Sequence, residues 1–190
     1  MGGEVLRDAF RAVDRADFLR PEDRSQARLD APVAIGDGQT NSQPRTVFAM
    51  LELLDVRPGH RVLDVGSGSG WTTALLAHLV GETGVVIGVE INADLVDFGS
   101  ANLGAYDQAW ASIRRWTPGV LGAPEDAPFD RILVSAEAKS VPQPLADQLV
   151  VGGILVVPVG AHLTRVVKRR PGDLAISTHG LYSFVPLLWP

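Results

Sequence analysis

Gly66-Ser67-Gly68-Ser69-Gly70 follows directly on the run Val62-Leu63-Asp64-Val65, and Thr72 to Val80 behind it has a helix-compatible composition. The order strand, tight turn, helix is how an open parallel α/β sheet builds a nucleotide pocket. Glycine suits such a turn because it accepts positive φ and lets a ligand approach the backbone. The helix start behind it offers unpaired N–H groups. A dinucleotide fingerprint spaces its last glycines as G-x-x-G, whereas Gly66, Gly68 and Gly70 are one residue closer. Asp64 within the strand end would repel a pyrophosphate and suits a cationic amino-acid ligand. Glu90 ends the next apolar run, Val85 to Val89, and an acid at the tip of a second strand can accept both ribose hydroxyls. Asp64 and Glu90 together favour S-adenosyl-L-methionine, which carries a sulfonium and an ammonium, over NAD. The bland alternative is a plain glycine turn with two solvated acids. The strand, helix and second acid in register weigh against it.

The elements that must hold these residues read as follows. At 190 residues one domain is expected, and a 46% apolar fraction is enough for a core. The net charge of −5, with no basic run, gives no nucleic-acid footprint. Cysteine is absent, which excludes disulfides and thiolate chemistry, and the four histidines show no metal-ligand spacing. With no apolar run of membrane length and no signal-peptide core, a cytoplasmic location and no membrane partner are expected. Val5 to Val13 predicts an amphipathic helix, Asp14 to Arg28 a charged cover broken at Pro21, and Ala31 to Pro44 a loop. Arg45 to Leu54 predicts a helix leading into the first strand. Val85 to Glu90 is the second strand, and Asn92 caps a helix through Leu103. Trp110 to Arg115 and Arg131 to Val134 are further strands. Gln143 to Val150 reads as a helix ended by Gly152-Gly153, and Ile154 to Val159 as a strand. Thr164 to Val167, Ala175 to Thr178 and Tyr182 to Leu187 read as shorter strands. Alternating strands and helices followed by a strand-rich end make a doubly wound α/β sheet with an antiparallel edge.

Several segments resemble the protein-L-isoaspartate O-methyltransferase family. Ile35-Gly36-Asp37-Gly38-Gln39-Thr40-Asn41-Ser42-Gln43-Pro44 is similar to its G-x-G-Q-T-I-S-Q/A-P loop, and Val62 to Gly70 to its nucleotide turn. Ala127-Pro128-Phe129-Asp130-Arg131-Ile132 resembles its A-P-F-D-x-I strand entry. Leu149 to Gly153, Val156 to Gly160 and Phe184-Val185-Pro186-Leu187 resemble its L-x-x-G-G, V-I-P-V-G and F-V-P-L segments. The likeness runs from Phe10 to Leu187. It implies a mostly parallel seven-stranded sheet of the class I methyltransferase type, with residues 1–44 as a substrate cover and 45–190 as the cofactor-binding core. It implies methyl transfer from S-adenosyl-L-methionine to the free carboxylate of isoaspartyl residues in damaged peptides or proteins, and hence repair through a succinimide. By resemblance Ser42 is the catalytic residue, positioning the substrate carboxylate. Expected cofactor contacts are Thr40, Asn41, Ser42 and Gln43 in the loop, with Asp64, Gly66, Ser67, Gly68 and Ser69 in the strand and turn. Glu90, Ile91, Thr117 and Pro118 complete the set, and no metal is expected.

That chemistry fits the residue types. A carboxylate is already ionised at neutral pH and needs no strong base. A sulfonium is an activated donor, so catalysis is largely alignment, for which one hydroxyl such as Ser42 Oγ suffices. Three departures from the family pattern stand out: Thr117-Pro118-Gly119 in place of Gly-Asp-Gly, Asn41 in place of isoleucine, and an end at Trp189-Pro190. The first two motivate a related enzyme for another carboxylate, such as aspartate in a modified peptide, and a non-catalytic cofactor-binding homologue is a separate alternative. Trp71 is read as packing on the cofactor or in the core, and Lys139 as attracting an acidic substrate or simply solvated.

Overall fold

A computed structural model describes residues 2–188. Trp189 and Pro190, where the sequence ends, lie outside the described residues. Helix α1 (Gly3–Ala12) and two 3-10 turns (Arg15–Phe18, Pro21–Gln26) precede a hairpin of β1 (Val33–Gly36) and β2 (Gln39–Asn41). Then come α2 (Pro44–Leu54), β3 (Arg61–Val65), α3 (Trp71–Val80), β4 (Val85–Glu90), α4 (Ala93–Leu103) and β5 (Ala111–Arg115). After a 3-10 turn (Pro124–Asp126) follow β6 (Phe129–Val134), α5 (Gln143–Asp147), β7 (Leu149–Val159), β8 (His162–Arg170) and β9 (Asp173–His179).

The main sheet has seven strands in the order β5-β4-β3-β6-β7-β8-β9. The first five are mutually parallel, and β8 and β9 run antiparallel as a terminal edge. From β3 the chain moves outward to β4 and β5, then returns to place β6 on the other side of β3. The connections leaving β3 and β6 therefore diverge, and a crevice opens at their carboxyl ends.

Period-two alternation fills both faces. On β3, Val62 packs with Leu51, Leu75 and Leu76 on one face, while Leu63 and Val65 pack with Ile132, Val134 and Leu155 on the other. A third cluster of Leu19, Val33, Ile35 and Leu95 fixes the hairpin to α4.

Three expectations need correction. Residues 33–41 form a hairpin rather than a loop. Gly36, Asp37 and Gly38 all have positive φ and reverse the chain, and Val33 and Ile35 bury alternate side chains. The helix expected to reach Val150 stops at Asp147, and β7 starts at Leu149. Leu149 pairs with Phe129 and Ile154 with Arg131, so the glycine pair lies in an irregularity within one strand. Tyr182 to Leu187 is not a strand. It is pinned beside β6 by an isolated bridge, with Glu137 N donating to Val185 O and Leu187 N to Glu137 O, each 2.8 Å.

Candidate active site

The glycine turn is fixed from below by β4. Gly66 N and Ser67 N both donate to Val89 O, at 2.9 and 3.2 Å, and Gly70 N donates to Ser67 O at 2.9 Å. Gly66, Gly68 and Gly70 all have positive φ, which L side chains rarely adopt. Glu90 closes the turn from the side. Its Oε2 accepts from Gly68 N at 2.9 Å and its Oε1 from Asn92 N at 3.0 Å. Asn92 also caps α4, its Oδ1 accepting from Asp94 N and Leu95 N.

Asp64 lies beneath the pocket, not on its wall. Strand alternation turns its side chain toward α3, where Oδ2 accepts from Thr72 Oγ1 at 2.9 Å and Thr73 Oγ1 at 2.7 Å. The carboxyl is fully buried, and burial pushes its pKa up to about 6. The two threonine hydroxyls oppose that shift and the charge of Glu90 adds to it.

The segment ahead of α2 hangs on one buried cation. Arg15 Nε donates to Asn41 Oδ1 at 2.8 Å. Its Nη1 donates to the carbonyls of Ala27 and Leu29, and its Nη2 to those of Ala31, Asn41 and Ser42. Burial lowers its pKa to about 10, and nearby Asp30 partly offsets this, so the guanidinium stays charged at neutral pH. The Ser42 carbonyl, at 3.1 Å from Nη2, is thereby fixed next to the turn. Asn41 Nδ2 reaches the turn itself and donates to Ser69 Oγ at 3.1 Å.

These parts enclose a cavity of about 540 Å³ at the β3–β6 crevice, within the usual size for small-molecule sites. Of the residues expected from sequence, Thr40 to Gln43, Gly66 to Ser69, Glu90 and Ile91 line it together. Asp64 is behind the wall. Thr117 and Pro118 are exposed and do not line the cavity, whereas the neighbouring Trp116 and Leu121 do. Lys139 is exposed and off the wall. Trp71 meets the core reading, and its place on the cavity wall leaves it within reach of a ligand. It lines the cavity, and it packs in the core edge-on to Phe10 with Arg15 over its ring.

Sequence reasoning missed the far wall. Residues 181–188 line it from Leu181 to Leu188, together with Ser135 at the end of β6. The position of Ser135 after a buried-type strand was the available signal.

Among the described lining residues Glu90 carries the only formal charge. Asp64 Oδ1, Ser67 Oγ and Ser135 Oγ are buried beside the cavity without a hydrogen-bond partner. An acid at the strand tip, a glycine turn open to close approach and unpaired polar atoms beneath it suit a cationic nucleoside with an amino-acid tail.

A family model for protein-L-isoaspartate(D-aspartate) O-methyltransferase matches residues 3–189. The chain is 43% identical over 193 residues to a protein-L-isoaspartate O-methyltransferase of Thermococcus onnurineus, covering 97% of this chain and 86% of that one. It is 43% identical over 189 residues to the corresponding protein of Methanopyrus kandleri, covering 96% and 83%. A crystal structure of a Plasmodium falciparum protein assigned as a protein-L-isoaspartate O-methyltransferase, in complex with S-adenosyl-L-homocysteine, superposes with a TM-score of 0.87. That pair is 27% identical, over 97% of this chain and 90% of that one.

Proposed function

The chain belongs to the protein-L-isoaspartate(D-aspartate) O-methyltransferase family, and from that premise we propose how its pocket divides the work. The enzyme transfers a methyl group from S-adenosyl-L-methionine to the free carboxylate of isoaspartyl residues in proteins or peptides, the family's repair reaction. When bound, the cofactor supplies a methyl on a sulfonium, a leaving group that needs no protonation.

In this reading Glu90 receives the ribose hydroxyls while keeping Gly68 and Asn92 in place. Gly66 to Ser69 let the amino-acid tail approach the backbone, and Asp64 supplies negative charge from beneath. Ile91, Trp116 and Leu121 form the apolar slot for the adenine. Ser42 Oγ donates a hydrogen bond to one carboxylate oxygen and leaves the other aimed at the methyl. One C–O bond forms, one C–S bond breaks, and an anion and a cation become a neutral ester and a neutral thioether. Charge disappears along the reaction coordinate, so a cavity without competing cations favours the transition state. Residues 1–44 act as the substrate cover over the core of 45–190. The substrate is a peptide or protein carboxylate in the cytoplasm, with neither nucleic acid nor membrane as partner. The acidic net charge speaks against a nucleic-acid partner, and among the described residues no helix is long and apolar enough to cross a membrane.

The observation carrying these roles is the meeting of the Ser42 segment with the glycine turn at one cavity. Ser42→Ala is expected to lower kcat on an isoaspartyl peptide by about 10-fold to 100-fold, the scale of one lost orienting hydrogen bond. The Kd for S-adenosyl-L-homocysteine should change by less than about threefold. Unchanged turnover would remove Ser42 from its assigned role.

A further inference from the structure

Asn41 joins the two walls of the cavity with a single buried side chain. It is 4% exposed. Its Oδ1 accepts from Arg15 Nε at 2.8 Å and its Nδ2 donates to Ser69 Oγ at 3.1 Å. Arg15 in turn holds the carbonyls of Asn41 and Ser42, and Ser69 sits in the glycine turn and lines the cavity. The carboxamide cannot flip without placing donor against donor at Arg15. In a buried site either lost bond would leave a polar atom unsatisfied. A second link runs parallel to it. Asn92 Nδ2 donates to Asp37 in the hairpin turn, while Asn92 N donates to Glu90.

We propose that Asn41 is a positioning residue that couples the turn to the Ser42 segment, so that cofactor and isoaspartyl peptide bind with positive cooperativity. This rests on the reading of the pocket given above. A ligand against the turn fixes Ser69, Ser69 fixes the Asn41 carboxamide, and Asn41 fixes Ser42, its neighbour in the chain.

Calorimetric titration tests it, with S-adenosyl-L-homocysteine and an isoaspartyl peptide each measured alone and with the other saturating. The homocysteine product has no sulfonium, so charge attraction to the peptide is reduced. In the native protein each ligand is expected to tighten the other by the same factor, about fivefold or more. Asn41→Leu keeps the side-chain size and removes both hydrogen bonds, and is expected to bring the factor below about twofold. Ser69→Ala cuts the relay at its other end, should do the same, and serves where Asn41→Leu does not fold. A merely structural Asn41 would lower Tm and leave the factor intact, and that result overturns the proposal. So does a native enzyme that methylates the peptide but shows no coupling. A native protein that neither binds the product nor methylates the peptide overturns the reading of the pocket, and the relay with it.

Discussion

Asp64 and Glu90 show how similar carboxyls take different work from their surroundings. Glu90 is tied by two backbone N–H groups and reaches the cavity. Asp64 is sealed under the turn with one oxygen unpartnered. Its pKa of about 6 lies above the unfolded value of 3.8, so the folded protein binds this proton more tightly. The resulting stabilisation is complete below about pH 4 and is lost as pH rises through 6, a change of roughly 3 kcal/mol for two pKa units. Asp64→Asn has no such proton. Denaturant titrations should show the stability difference, native minus variant, falling by about that amount between pH 4 and pH 7.5. A difference independent of pH would contradict the assignment. Both acids were legible in the sequence because Asp64 interrupts one apolar run ahead of the glycines and Glu90 closes the next. Arg15 was not. It lies in a charged stretch with Arg20, Arg24 and Arg28, and five of its acceptors are main-chain carbonyls 12 to 27 residues away, which no spacing rule reveals.

At the scale of elements, the turn works because α4 lies against it backbone to backbone. A Cβ on Gly99 would sit 2.7 Å from Gly68 O and 3.1 Å from Ile113 Cδ1. Gly99→Ala sets two effects against each other. Helix propensity favours alanine by about 1 kcal/mol, while overpacking against a main-chain oxygen costs about 1–3 kcal/mol. The clash is expected to win. Tm should fall by a few degrees, and S-adenosyl-L-homocysteine should bind several-fold more weakly as the turn is displaced. A raised Tm with unchanged affinity would show that α4 can move away freely. The long, strongly patterned elements of the sheet were readable. The hairpin was not, because β1 and β2 are four and three residues of mixed polarity. Neither was the start of β7, because two glycines that resemble a helix stop are absorbed within a strand. The segment after β9 alternates like a strand, yet its backbone groups are satisfied on the loop after β6 rather than in a ladder.

Over the whole molecule, three distant stretches converge on the divergence of β3 and β6: the hairpin and Ser42 from the front, the glycine turn from the middle, and residues 181–188 from the end. The result is a cavity whose one charged wall residue, among those described, is an acid, fit to hold a cation that then becomes the partner of an incoming carboxylate. The most direct test uses methyl-labelled S-adenosyl-L-methionine with two peptides of one sequence, one with an isoaspartyl and one with a normal aspartyl linkage. The expected result is label on the isoaspartyl peptide as a base-labile ester, at least about 100-fold above the aspartyl peptide. Label on the aspartyl peptide alone, or on neither with both ligands bound, would contradict the account.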